Sequence, residues 1–98
     1  MFKHGEFSVW QFFEDGSQER VREFVDELEA CLAFCHYTHN VAANMGITRR
    51  VIITDGGDFT NAEWKYGEGN TYPPEWVGVD INPAMVEAYK TARARGDI

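Results

Sequence analysis

Four side chains in one short stretch could do metal or nucleophilic chemistry. Cys31, Cys35, His36 and His39 form the pattern Cys-x3-Cys-His-x2-His. Thiolates and imidazoles at i and i+4 of a helix can chelate an ion from one face. Cys31 and His39 lie too far apart in sequence to share a small ion with Cys35, so a metal centre needs outside ligands, with His4 and Asp58 as the nearest offers. A Cys–His nucleophile is a second chemistry for the same residues. Two buried cysteines and a hydrogen-bonded core histidine account for them without chemistry, and this is the reading adopted. No metal, cofactor or catalytic residue is assigned.

Two further segments carry polar groups at short spacing. Thr54-Asp55-Gly56-Gly57-Asp58 sets two carboxylates beside a turn. It lacks the further oxygen ligands of a calcium loop, and Asp with Gly is what a tight turn demands. Tyr66–Pro74 (YGEGNTYPP) has glycines that would let backbone N–H groups approach an anion. It has neither the Lys-Ser/Thr of a phosphate loop nor a helix directly after it, so closing a pocket is its better use.

The elements that must position these groups follow from periodicity. Phe7–Phe13 and Glu19–Val25 read as strands joined at Asp15-Gly16, a hairpin turn because both residues tolerate positive φ. At Asp26, a candidate N-cap, the period changes to 3.6, and a helix is expected over 27–45 with Gly46 as its stop. Leu28, Cys31, Leu32, Cys35, His39 and Ala42 follow one face of it, and Asp26, Glu29, Ala33, His36, Asn40 and Asn44 form a narrow polar arc. Strands are expected at 47–54 and 59–66, then an irregular loop over 67–74. The 76–81 run allows a short edge strand, and Asn82-Pro83 opens a helix that ends at Gly96, with Lys90, Arg93 and Arg95 towards its C-terminus. The fold class is α+β: a β-β-α-β-β core with a largely antiparallel sheet, a central helix on one face and a C-terminal helix.

So apolar a helix needs more cover than one small sheet supplies. The rest comes from the C-terminal helix or a second subunit, and a homo-oligomer is expected. Without bulges, Val9, Phe13, Val21, Val25, Val51, Ile53, Ala62 and Trp64 face the helix. The opposite face then holds Trp10, Phe12, Arg20, Arg22, Phe24, Arg50, Asn61, Glu63 and Lys65. Aromatic rings offer stacking, arginines offer forked donors, and Asn61 with Glu63 offers both donors and acceptors. The candidate ligand-binding residues are Trp10, Phe12, Arg20, Arg22, Phe59, Asn61, Glu63 and Tyr72, and the ligand class is a small anionic, nucleotide-like molecule.

Composition narrows the partners. The 98 residues are 44% apolar and 26% charged, the proportions of one globular domain spanning 1–98. Sixteen acids against nine Lys and Arg give a net charge of −7, which disfavours a nucleic-acid polymer. No run is long enough to span a membrane, and Met1–Glu6 carries no signal-peptide core, so a cytoplasmic protein with reduced thiols is expected. Val77–Glu87 resembles one segment of Rossmann-type methyltransferases, where a strand-end acid holds a ribose hydroxyl. The glycine-rich motif that should precede it is absent, and a Rossmann domain does not fit.

Through Arg20, Arg22 and Phe59-Thr60-Asn61-Ala62-Glu63, the chain resembles in general design the phage-encoded sponges that sequester nucleotide immune signals and block Thoeris defence. The resemblance covers about half the chain. It implies a non-enzymatic, oligomeric α/β protein with pockets of aromatic, Arg and Asn/acid residues, and an anti-defence role. Two alternatives remain: an acidic inhibitor, similar to anti-CRISPR proteins, that covers a basic protein surface, and a small metal- or Cys-dependent enzyme.

Overall fold

Local hydrogen bonds start the fold. In the computed structural model, which describes residues 6–79, 81 and 83–96, Asp15 Oδ1 accepts from the Ser17 amide at 2.9 Å and from its hydroxyl at 2.6 Å. Gly16 takes φ 89° beside it. This turn joins β1 (Phe7–Phe13) to β2 (Gln18–Val25). Asp26 then caps α1 (Glu27–His39) by accepting from the Glu29 amide at 2.8 Å.

The expected single helix over 27–45 is two helices. Asn40 leaves helical geometry (φ −79°, ψ 179°), and its side chain accepts from the Ala43 amide at 2.9 Å to cap α2 (Val41–Asn44). Gly46, at φ 81°, stops α2 as expected, and the Ile47 amide closes back on the Ala42 carbonyl at 2.9 Å.

The chain continues through β3 (Thr48–Thr54), β4 (Thr60–Lys65) and β5 (Gly69–Tyr72), a 3-10 turn at Pro74–Trp76, and α3 (Pro83–Ala94). β5 corrects the expected 67–74 loop, and the 3-10 turn with Val77-Gly78 replaces the possible strand at 76–81. Gly67 (φ 86°) and Gly69 (φ 77°) do not break structure here. They let the chain reverse in a tight hairpin, closed by Glu68 N–H on the Lys65 carbonyl at 3.0 Å. Pro73 and Pro74 end the strand, Pro74 in the first turn of the 3-10 segment. The Asn82 cap and His4 lie outside the described residues.

The five strands pair antiparallel in the order β2-β1-β3-β4-β5, and the fold is α+β with helices packed on the sheet. Val9, Val51, Ile53 and Ala62 form the sheet side of the core; Ala30, Ala33 and Phe34 form the helix side. Ala33, placed by periodicity on the polar arc, is only 3% exposed. The stripe that meets the sheet is therefore Ala30, Ala33, Phe34 and Thr38. The neighbouring Leu28 and Cys31 turn towards α3, where Val86 is buried. No described helix is long and apolar enough to cross a membrane.

Both outer strands are irregular or short. β2 is rich in charge, and its pairing with β1 shifts register twice, between Phe7 and Val9 and between Val9 and Trp10. β5 is four residues long and runs into the two prolines.

Gly46 is held by both its backbone and its neighbour. A Cβ there would meet the Tyr66 ring at 3.1 Å. Gly46→Ala should lower stability by about 1–3 kcal/mol through strain and overpacking, read as a fall in urea midpoint with an unchanged slope.

Candidate functional site

Strand alternation puts the core residues under the helix and a different set on the open face of the sheet. The registers form two rows across that face. One pairs Arg20 with Trp10, Trp10 with Ile52, Ile52 with Glu63, and Glu63 with Tyr72. The other pairs Gln18 with Phe12, Phe12 with Arg50, and Arg50 with Lys65.

The aromatics and arginines on this face already touch. The Arg20 guanidinium lies 5.0 Å from the Trp10 ring centroid and 5.7 Å from that of Phe24; Arg50 lies 4.9 Å from that of Phe12. Cation–π contacts of this kind hold a guanidinium flat over a ring and fix its donors in direction. Arg50 Nε also donates to Glu63 Oε2 at 2.5 Å, and Thr71 Oγ1 donates to Glu63 Oε1. Arg20 makes a looser pair with Glu23 at 3.6 Å. Beside the Arg50–Glu63 pair is an open depression of about 350 Å³, lined by Arg50, Thr60, Glu63, Thr71 and Tyr72. It offers guanidinium donors, a carboxylate, hydroxyls and one aromatic ring.

Burial works to raise the Glu63 carboxyl. Hydrogen bonds from Thr71 and Arg50, with the charges of Arg50 and Lys65, outweigh it and hold the group below its ordinary 4.5.

Of the eight candidates, Trp10, Phe12, Arg20, Glu63 and Tyr72 share the open face. Arg22 and Asn61 do not, and local bulges are the cause. The double shift in β2 sets Arg22 opposite Val9, so its side chain crosses to the helix side and pairs with Glu29 of α1 at 3.3 Å. In β4, Ile53 pairs with Ala62 but Thr54 pairs with Thr60, leaving Asn61 as the extra residue. Its amide nitrogen donates to Asp55 Oδ2 and the Phe59 carbonyl, both at 3.0 Å, and it lines a hollow under α1 with Phe7, Ala30 and Ile53. Phe59 sits in the 55–59 connection, 74% exposed. Thr60 takes the outward position the bulge frees. Arg50, in the outward set but outside the candidates, is the face's best-placed cation. Its cross-strand partner Lys65 and the Glu63 two residues before it are the signal that locates it.

Asp55 belongs to its turn. Its oxygens accept from the Asn61 side chain and the Gly57 and Phe59 amides, which hold its carboxyl below the usual range. The four Cys and His residues also separate. His39 is exposed rather than in the core, with Nδ1 at 2.8 Å from the Cys35 carbonyl. Burial, then the negative charge of Glu27, pushes the Cys31 thiol up to about 11. Such a thiol is protonated at neutral pH and a poor nucleophile. Among the described residues no three His, Cys, Asp or Glu side chains gather as a metal site.

Compared with models of protein families, with curated proteins and with solved structures, the chain matches none.

A carboxyl lowered by folding stabilises the fold above its unfolded value and loses that contribution as pH falls through the folded one. Stability should therefore drop below the ordinary 4.5. Glu63→Gln should make the acid limb of unfolding midpoint against pH shallower, with Asp15 and Asp55, lowered by their turn hydrogen bonds, supplying the remainder. For Cys31, a thiol moved from 9.0 to about 11 should react with iodoacetamide near pH 8 roughly 100-fold more slowly than in the unfolded chain. Tandem mass spectrometry of the peptide that holds both cysteines checks this.

Proposed function

We propose that the chain is a non-enzymatic binding module that takes a small, planar, anionic, nucleotide-like ligand on its open sheet face. The observation that carries the reading is that Arg50, Glu63 and Tyr72 line one depression, with Phe12 beneath the Arg50 guanidinium and the Trp10–Arg20 pair further along the same face. A base can stack on the exposed Tyr72 ring, phosphate can meet the arginine donors, and the Glu63 carboxylate can accept from a base N–H. The general resemblance to phage sponges of nucleotide signals points to sequestration and to an anti-defence role. Here the arginine of the pocket would be Arg50, since Arg22 turns to the helix side. A homo-oligomer fits the reading, because the depression is shallow and a second copy facing it would deepen the pocket.

Native mass spectrometry on protein purified from cells without added ligand tests this. A multiple of the chain mass with added mass of nucleotide size is the expected result. In titrations with AMP and GMP, Trp10→Ala and Arg50→Ala should each weaken binding by about tenfold or more, the scale of one lost stacking or charge-assisted contact. A bare chain that binds neither nucleotide would overturn the proposal. Tight binding to a basic protein, lost when Glu63 is kept but surface acids are neutralised, would replace it with the inhibitor reading.

A further inference from the structure

A hollow of about 220 Å³ lies where the last turn of α1, the β4–β5 hairpin and the Gly78-Val79 segment meet. Trp64 of β4 packs against the core, and Asn70 of β5 is its cross-strand partner. Directly opposed residues share a face, so the hollow is on the helix side of the sheet and apart from the open face.

Asn70 is the unusual group in this wall. It is only 8% exposed. Its Nδ2 donates to the Val79 carbonyl at 2.8 Å, which fixes the orientation of the amide, since a flipped amide would set two oxygens against each other. Oδ1 is then buried with no hydrogen-bond partner. A buried acceptor without a donor is costly, and native structures seldom keep one without a reason. Gly78 and Val79 are exposed, and they are the wall that a donor would displace to reach Oδ1.

The rest of the lining is mixed. Thr38 Oγ1 donates to the Cys35 carbonyl at 3.2 Å, and His39 Nδ1 lies 2.8 Å from the same oxygen. Trp64 adds an indole ring with its N–H. Glu68, exposed in the hairpin turn, adds the carboxylate, and no Lys or Arg is among the described lining residues. A donor that also carries positive charge would satisfy Oδ1, meet the Glu68 charge and lie against the Trp64 ring. A carboxylate or phosphate would face Glu68 with no Lys or Arg to answer it. A quaternary ammonium has the charge but no N–H, and would leave Oδ1 unpaired.

We propose that this hollow binds a small organic molecule bearing a primary ammonium group, with an ammonium N–H donating to Asn70 Oδ1. The site stands or falls independently of the nucleotide reading.

Titration of the ¹⁵N-labelled protein with n-butylammonium tests it, at pH 8, where an ordinary imidazole is uncharged. Ionic strength is held constant with KCl. Saturable shifts are expected at the amides of Gly69, Asn70 and Val79 and at the Asn70 side-chain NH₂, with a dissociation constant below about 10 mM. Tetramethylammonium should bind at least roughly tenfold more weakly, and butyrate should give no saturable shift. Glu68→Gln, a change at an exposed position, should weaken butylammonium by about threefold or more, and Asn70→Leu by about tenfold or more. Trp10→Ala and Arg50→Ala should leave the titration unchanged. The proposal is overturned by absent shifts, by shifts that KCl alone reproduces, by equal binding of tetramethylammonium, by a response centred away from the hollow, or by a Glu68→Gln or folded Asn70→Leu variant that binds as before.

Discussion

The seating of α1 on β1 and β3 is the contact from which the remaining geometry follows. Ala30 and Ala33 have no side chain beyond Cβ, so the helix backbone can approach the sheet closely, and Phe34 fills the space beside them. Val9, Val51 and Ile53 must then point at the helix. Because strands alternate, Trp10, Arg50 and Ile52 are forced to the other side. Core and open face are thus two readings of one register.

The two sides of the sheet have different electrostatics. On the open face Arg20 and Arg50 lie over aromatic rings, and Arg50 is held by Glu63. An incoming anion there meets oriented donors but has to share them with glutamates. Under the helix the described lining mixes apolar walls with the Glu27 carboxylate, the Cys31 thiol, the Trp76 indole and the Asn61 amide. The two sides therefore differ in the polar groups they present, separated by the thickness of a single sheet.

Much of this was legible from residue order. Asp15-Gly16, the Asp26 cap, the Gly46 stop and the antiparallel strands are local effects, decided by φ preferences and short hydrogen bonds, and local sequence carries them. Asn40 looked like one more polar residue on a helical arc because Val41–Asn44 resumes the same period; its role as a double cap depends on backbone geometry. Gly67–Tyr72 read as loop because glycine is disfavoured in strands, yet pairing with β4 overrode that preference. The site suffered most from bulges. An extra residue in β2 and one at Asn61 reverse the face of Arg22 and Asn61 while leaving the hydrophobic alternation nearby almost intact. Nothing in a period-2 pattern marks such an insertion when the residue concerned is polar and finds a partner on either face, as Arg22 does in Glu29 and Asn61 in Asp55.

The irregular borders of the sheet have a consequence for how copies of this chain can meet. Along β2, charges and two bulges spoil the row of backbone donors and acceptors that a further strand would need. At the other border, four residues and a proline pair leave too little ladder to extend. Strand-to-strand growth, which has no natural end, is closed off on both sides. Contact through faces is left as the more open route, and it saturates at a fixed number of subunits only where it is isologous or its rotation closes a ring. Growth of a continuous sheet by added strands is thereby disfavoured.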